Sequence, residues 1–128
     1  MLDAAIGVAA PVHAYLDALA RHDWRALAAT LAAGVERIGP YGDVYRGRDE
    51  YAAFLERTVT ALPGHRLEVD RVVASGPVVL AELSETVDDG DARLRTAEAV
   101  VFDVRDGEIT RVAVYLRSSE RVAADGRD

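Results

Sequence analysis

The spacing of apolar residues changes once along the chain, from a helical period to alternation. In the first half, apolar side chains recur every three or four residues, as at Val12, Leu16 and Leu19. From residue 67 onward apolar and polar residues alternate, which is typical of strands with one buried face. The chain is therefore expected to place its helices before an antiparallel sheet.

Turn and cap residues divide the first half into three predicted helices. The first is expected to stop near Arg21, and Asp23 is suited to cap a short second helix that Gly34 ends. Asp49 is suited to cap the third helix. Between the last two, residues 35–48 are rich in Gly, Pro and Asp, which favours two short strands or a loose hairpin.

The second half predicts a meander of four antiparallel strands. Turn formers separate them, including the hairpin pair Asp106 and Gly107. The predicted strands cover residues 67–75, 77–87, 93–105 and 108–118. This order predicts an α+β fold, with a curved antiparallel sheet wrapped around three helices from the N-terminal half. At 128 residues the chain is expected to form one domain, 1–128, with a flexible tail at 120–128.

Composition narrows the chemistry that such a domain can perform. All 15 basic residues are arginine, and Lys, Cys, Asn and Gln are absent. Schiff-base lysines, thiol nucleophiles, zinc thiolates and amide-lined oxyanion holes are therefore excluded. The groups that remain available for catalysis or binding are carboxylates, Tyr, His, Arg, Ser, Thr and the backbone.

Charge and hydropathy bear on partners and location. A net charge of -7 disfavours nucleic acid and anionic membrane surfaces, both of which attract cationic groups. The apolar stretch at residues 4–12 is about half of the roughly 20 residues that span a bilayer, and no basic residue precedes it. We expect a soluble cytoplasmic protein that binds neither nucleic acid nor membrane.

Glu98 interrupts the apolar face of the third long strand. Leu94, Val100, Phe102 and Val104 share its parity and are suited to face the core. A lone charged carboxylate there would cost many kcal/mol, so Glu98 is paired, protonated or exposed to a cavity. The functional interpretation is that Glu98 is a pocket carboxyl group with a raised pKa. The structural alternative is that a bulge turns Glu98 to solvent or that an arginine pairs with it.

Tyr15 is the second candidate, on the apolar stripe of the first helix. An aromatic residue at this spacing is more often part of the core, but a buried hydroxyl needs a hydrogen-bond partner. With a protonated Glu98, both groups could donate to one ligand oxygen. The three histidines, His13, His22 and His65, show no metal-ligand spacing and predict no metal site.

Three stretches resemble the nuclear transport factor 2-like superfamily, which includes ketosteroid isomerases and SnoaL-like polyketide cyclases. They are YLDALARHD at 15–23, YRGRDEYAAF at 45–54 and VFDVRDGEI at 101–109, running on to Tyr115. The resemblance covers residues 8–119 and implies a cone-shaped α+β barrel, which hosts several unrelated activities. It also implies a homodimer and no cofactor.

The resemblance implies roles for two residues. Tyr15 matches the oxyanion-hole tyrosine of ketosteroid isomerases, and Glu98 matches their second donor, an acid kept protonated by an apolar site. The proton-shuttling aspartate has no counterpart, because the nearest matches are Ile38 and Gly39. Glu36 shares the parity of Ile38 and is a possible substitute. A SnoaL-like mechanism requires only one acidic residue in the pocket.

We therefore expect acid/base isomerisation or cyclisation of a hydrophobic, polyketide-like carbonyl compound, with Glu98 as acid/base and Tyr15 as oxyanion donor. Neither a cofactor nor a metal is expected. The expected walls of the substrate pocket are Trp24, Ile38, Phe54, Val100, Phe102, Val112, Val114 and Leu116. Two alternatives stay open: a non-catalytic module that binds a small molecule, and an interaction module that dimerises through its outer sheet face.

Overall fold

The computed structural model describes residues 2–123, with side chains from Gly7 onward. Its helices are α1 (Leu2–Arg21), α2 (Trp24–Ala28) and α3 (Arg48–Thr60). Its strands are β1 (Leu31–Ile38), β2 (Val44–Arg46), β3 (Arg66–Ser75), β4 (Val78–Asp89), β5 (Ala92–Arg105), β6 (Glu108–Leu116) and β7 (Glu120–Ala123). Within these residues, no helix is both long and apolar enough to cross a membrane.

The seven strands form one curved sheet in the order β2-β1-β6-β5-β4-β3, with β7 also paired to β5. The antiparallel meander β3-β4-β5-β6 confirms the prediction from the alternating half of the chain. Strand β1 pairs antiparallel with β2 and parallel with β6, so the sheet is mixed. In the part of the chain described, the edges β2 and β3 do not meet, and the sheet curves without closing.

The predicted end of the second helix is corrected. The second helix ends at Ala28, and the segment expected to continue it to Gly34 is strand β1. Leu31 is fully buried and pairs with Ile109 of β6, so sheet pairing prevails over helix propensity. Asp23 does cap α2, accepting a hydrogen bond from the Ala26 amide at 3.0 Å.

The third helix begins two residues earlier than predicted. Gly47, with φ of 94°, occupies the N-cap position, and Asp49 lies inside the first turn instead of capping it. A positive φ of this size favours glycine, since other residues carry a Cβ that crowds the backbone. Asp49 still stabilises the positive end of the helix dipole.

The segment expected as a flexible tail is in part a strand. Residues 120–123 form β7, which pairs with residues 92–95 of β5, beyond the point where β6 leaves that edge. The ladder hydrogen bonds of β5 account for the order of this segment. Residues 124–128 lie outside the described residues.

The core lies between the helices and the inner sheet face. Its largest fully buried side chains include Tyr51 of α3, Phe102 of β5 and Leu27 of α2. Burying each such side chain contributes roughly 1.5 to 3 kcal/mol. The core is therefore continuous across the helix layer, and one end of it opens into a cavity.

Candidate active site

A cavity of about 180 Å³ lies between α1, α3 and the inner face of the sheet. It is lined by Tyr15, Leu16, Leu19, Arg37, Pro40, Tyr51, Leu55, Leu83, Glu85, Glu98, Val100, Val114 and Leu116. Tyr15 and Glu98, the two residues singled out from the sequence, thus share one cavity. Five polar side chains face each other there: the two candidates together with Arg37, Tyr51 and Glu85.

Strand pairing places Glu98 beside a second carboxyl group. Glu98 is opposite Leu83 and Glu85 is opposite Thr96, so the two glutamates are diagonal neighbours on one face of β4 and β5. Burial raises the pKa of Glu98 to about 9, and the charge and hydrogen bond of Glu85 add to this effect, while Arg37 opposes it. Glu98 is therefore a neutral acid at pH 7.

Glu85 carries the negative charge of the pair. Burial would raise the pKa of Glu85, but hydrogen bonds with His65 and Glu98 and the positive charge of Arg37 outweigh it, and the pKa lies below its usual value. His65 Nε2 lies 2.6 Å from Glu85 Oε1. The cavity thus holds one carboxylic acid and one carboxylate, as expected when two carboxyl groups are too close for both to ionise.

Two tyrosine residues line the cavity from the helices, Tyr15 from α1 and Tyr51 from α3. Tyr15 Oη and Tyr51 Oη are hydrogen-bonded to each other, and both residues are buried. The Tyr15 ring packs edge-on against Phe102 with centroids 5.3 Å apart. Burial raises the pKa of Tyr51 to about 12 and raises that of Tyr15 well above its usual value. Both hydroxyls therefore keep their protons and can donate hydrogen bonds at neutral pH.

Arg37 supplies the positive charge at the site. It reaches the cavity from β1, and its side chain is 11% exposed. Its Nη1 lies 2.9 Å from Asp43 Oδ2, and its guanidinium carbon lies 4.9 Å from the centroid of the Phe54 ring. Burial raises the pKa of Tyr51, whereas the charge of Arg37 and a hydrogen bond with it lower that pKa, so the guanidinium lies near the Tyr51 hydroxyl.

Three of the eight predicted wall residues line the cavity, namely Val100, Val114 and Leu116. Phe102 and Val112 are fully buried and fill the core beneath it. Their positions follow from strand parity, but they lie further along the strands, where the helices cover the sheet completely.

The other three predicted wall residues contact different partners. Trp24 stacks on His22, with centroids 5.9 Å apart, and Phe54 stacks on Tyr45, with centroids 4.0 Å apart. Ile38 lines a neighbouring groove of about 310 Å³. That groove shares Pro40, Val114 and Leu116 with the cavity and continues to Tyr41 and Tyr115. None of the three is therefore a wall of the cavity itself.

Neither position considered for the missing base supplies one. Glu36 pairs with Arg46 at 3.1 Å and does not line the cavity. Gly39 carries no side chain, and a Cβ added there would meet the carboxylate of Asp43. The ionised carboxyl in the cavity is Glu85. Its signal was present in the sequence, because Glu85 interrupts the apolar alternation of Val79, Ala81 and Leu83 as Glu98 does on β5.

Among the described residues, no three His, Asp or Glu side chains are grouped so that they could hold a metal ion. The candidate site is thus built from two carboxyl groups, two phenols and one guanidinium. Such a set supplies proton transfer and hydrogen-bond donation to a developing oxyanion.

Residues 12–112 match the SnoaL-like domain family. The match spans most of the chain, and the protein belongs to this family of the nuclear transport factor 2-like fold. No curated protein is significantly similar to the chain in sequence.

Three solved structures illustrate the range of the fold. A LEH-like epoxide hydrolase from M. tuberculosis is 26% identical over 88% of this chain and 84% of its own, with a TM-score of 0.77. A protein provisionally named a ketosteroid isomerase, from Kribbella flavida, is 28% identical over 95% and 94%, with a TM-score of 0.75. One provisionally named a polyketide cyclase, from Xanthomonas campestris pv. campestris, is 30% identical over 87% and 90%, with a TM-score of 0.73.

Proposed function

We propose that the protein catalyses acid/base isomerisation or cyclisation of a small hydrophobic carbonyl compound in the cavity. The observation that carries the proposal is the pairing of a neutral acid, Glu98, with an ionised carboxylate, Glu85, in the cavity that Tyr15 also lines. Structures named for isomerase and cyclase activities share the fold and support this class of reaction.

The cavity volume limits the reacting part of the substrate. An apolar cavity of about 150 Å³ holds a benzene-sized ring, and the cavity here measures about 180 Å³. A single ring or a short acyl unit therefore fits inside. A longer substrate extends past Pro40 and Leu116 into the neighbouring groove.

The chemistry follows from the positions of the donors. The substrate carbonyl oxygen accepts hydrogen bonds from Tyr15 and from the protonated carboxyl group of Glu98, and the Tyr15 hydroxyl is in turn hydrogen-bonded to Tyr51. The Glu85 carboxylate removes a proton from the carbon beside the carbonyl, and the tyrosine pair stabilises the enolate oxygen. The proton then returns to another carbon, giving an isomer. Alternatively, the enolate attacks a second carbonyl group, and Glu98 protonates the alkoxide of the cyclised product.

Epoxide hydrolysis is a second candidate, and the same carboxyl pair favours it. A neutral Glu98 can donate its proton to an epoxide oxygen while Glu85 accepts a proton from the attacking water. The net reaction adds one water and leaves the pair with one proton. The epoxide hydrolase from M. tuberculosis shares the fold. The presence of a diol in an epoxide incubation, with no reaction of ketones, would favour this candidate.

Hydrogen exchange at carbon tests the first proposal without a known product. A panel of small cyclic ketones and 1,3-diketones is incubated with the protein in D₂O, and NMR follows replacement of the protons beside the carbonyl. Wild-type protein should accelerate exchange, and Glu98→Gln and Tyr15→Phe should each slow it by about 100-fold or more.

Matched controls use residues outside the cavity. Glu82 lies on β4 and forms an ion pair with Arg71, and Tyr45 stacks on Phe54. Glu82→Gln and Tyr45→Phe should exchange ketone protons at the wild-type rate. Ligand binding that survives Glu98→Gln and Tyr15→Phe, without exchange or product in the wild type, would instead identify a non-catalytic binding module.

A further inference from the structure

A chain of hydrogen-bonded groups leads from the protein surface to the cavity. His22 Nε2 lies 2.9 Å from His65 Nδ1, and His65 Nε2 lies 2.6 Å from Glu85 Oε1. Glu85 in turn interacts with Glu98. His22 is exposed at one end, while Glu85 and Glu98 line the cavity at the other. The chain of groups therefore joins the exposed His22 to the carboxyl pair in the cavity.

His65 is the buried link of this chain, with a side chain only 1% exposed. Both of its ring nitrogens are engaged, one with a histidine and the other with a carboxylate. An imidazole can bind a proton at one nitrogen and release one from the other. A serine or an asparagine would satisfy the same carboxylate without that ability.

His22 has an unusual backbone for its residue type. It ends α1 in the left-handed region with φ of 57°. The His22 amide bonds to Leu19 O and the Asp23 amide to Ala18 O, which is the helix-ending pattern that favours glycine or asparagine. A histidine there has a strained backbone, because its Cβ lies close to the following carbonyl oxygen. Its ring stacks on Trp24 with an interplanar angle of 12°, which holds Nε2 toward His65.

The titratable and charged groups near His65 come from β4, the end of α1 and the adjacent turn. Glu85 faces it from β4, and His22 faces it from the end of α1. The carboxylate of Asp88 packs on the neighbouring Gly64. Arg21 binds Asp17 and Asp23. Glu85 is thus the acceptor toward which a proton on His65 is directed.

We propose that His22 and His65 form a proton path between water and the Glu85–Glu98 pair. A protonated His22 passes its Nε2 proton to His65 Nδ1, and His65 passes its Nε2 proton to Glu85. This leaves both rings neutral and both glutamates protonated, and the reverse transfers return the proton to water. The use of the path in turnover rests on the proposed function, whereas its existence does not.

The path is tested first on the protein alone. NMR measures how fast the Nε2 proton of ¹⁵N-labelled His65 exchanges with water near pH 7. His22→Asn keeps a residue that tolerates the left-handed backbone but cannot carry a proton. Exchange should slow by at least about tenfold in this variant. His22→Gly, which the backbone also favours, provides a second variant with the same expected result.

His13 offers a matched control, since it is an exposed histidine of the same helix. In His13→Asn the His65 ring proton should exchange at the wild-type rate. Added imidazole buffer should restore exchange in His22→Asn, which would not happen if His22 had only a structural role. Exchange at the wild-type rate or faster in both His22 variants would overturn the proposal.

A second measurement separates this proposal from the proposed function. If ketone exchange in D₂O is found, His22→Asn should lower its kcat with KM unchanged, and imidazole should restore kcat. If no ketone reacts, the ring-proton exchange still decides whether the path exists. If the His22 variants exchange the His65 ring proton at the wild-type rate while Glu98→Gln still slows ketone exchange, the proton path is wrong and the proposed function stands.

Discussion

Glu85 and Glu98 face one cavity from adjacent strands, diagonal to each other, and a single proton serves both carboxyl groups. Their pKa values are displaced in opposite directions, because His65 holds the charge on Glu85 and burial beside that charge keeps Glu98 neutral. An acid and a base of the same residue type are thus available at neutral pH.

The raised pKa of Glu98 should make stability depend on pH. Between the ordinary value of 4.5 and about 9, the native state keeps a proton that the unfolded chain releases. The free energy of unfolding therefore falls as pH rises through this window, by at most about 1.4 kcal/mol per pH unit. Glu98→Gln lacks this contribution, so its stability relative to wild type should increase from pH 5 to pH 9. Urea unfolding at several pH values measures this difference, and a difference independent of pH would contradict the prediction.

Activity should have an alkaline limit set by the same group. If Glu98 acts as the acid, the rate of ketone exchange should fall as pH rises through about 9, where Glu98 loses its proton. Glu85→Gln should remove the base and abolish exchange at every pH. It should also lower the pKa of Glu98, because a neighbouring negative charge and its hydrogen bond are lost. A pH–rate profile of wild type that stays flat to pH 10 would argue against this assignment.

Tyr15→Phe should separate chemistry from binding. The variant keeps the ring that packs on Phe102 but removes the hydroxyl that meets Tyr51. We expect kcat to fall by about 100-fold to 1,000-fold with a small change in KM, because an oxyanion donor acts mainly in the transition state. Steady-state kinetics measures both constants. An increase in KM alone would show that Tyr15 only binds the substrate.

Filling the cavity from β6 should exclude ring-shaped ligands. Val114→Phe adds volume at the boundary of cavity and groove. We expect Kd for a single-ring ketone to rise by about tenfold or more, which titration calorimetry measures. Val73→Phe adds the same volume on an exposed strand position and serves as the control. Equal affinities in the two variants would place the ligand elsewhere.

Periodicity predicts the order of helices and the antiparallel meander, and it points to two residues of the candidate site. Glu98 was a candidate because a carboxyl group interrupts an apolar strand face, and Tyr15 because a buried hydroxyl on the apolar helix stripe needs a hydrogen-bond partner. Glu85 breaks the pattern of β4 in the same way and could have been found. The homodimer stays a prediction.

The other site residues depend on tertiary pairing that periodicity does not encode. Arg37 shares strand parity with the buried Val35, and its place in the site depends on how β1 pairs with β2 and β6. Tyr51 meets Tyr15 across 36 positions, and His65 meets His22 across 43. Residues so far apart come together only once the helices pack on the sheet, so spacing along the chain gives no signal for them.

The protonation state of Glu98 tests the central claim most directly. In protein labelled with ¹³C at the glutamate carboxyl carbons, one resonance at pH 7 should lie at the position of a protonated acid and titrate near pH 9. That resonance should be missing from Glu98→Gln. If every glutamate carboxyl in the wild-type protein titrates near its ordinary value of 4.5, the cavity holds no neutral acid and the account is wrong.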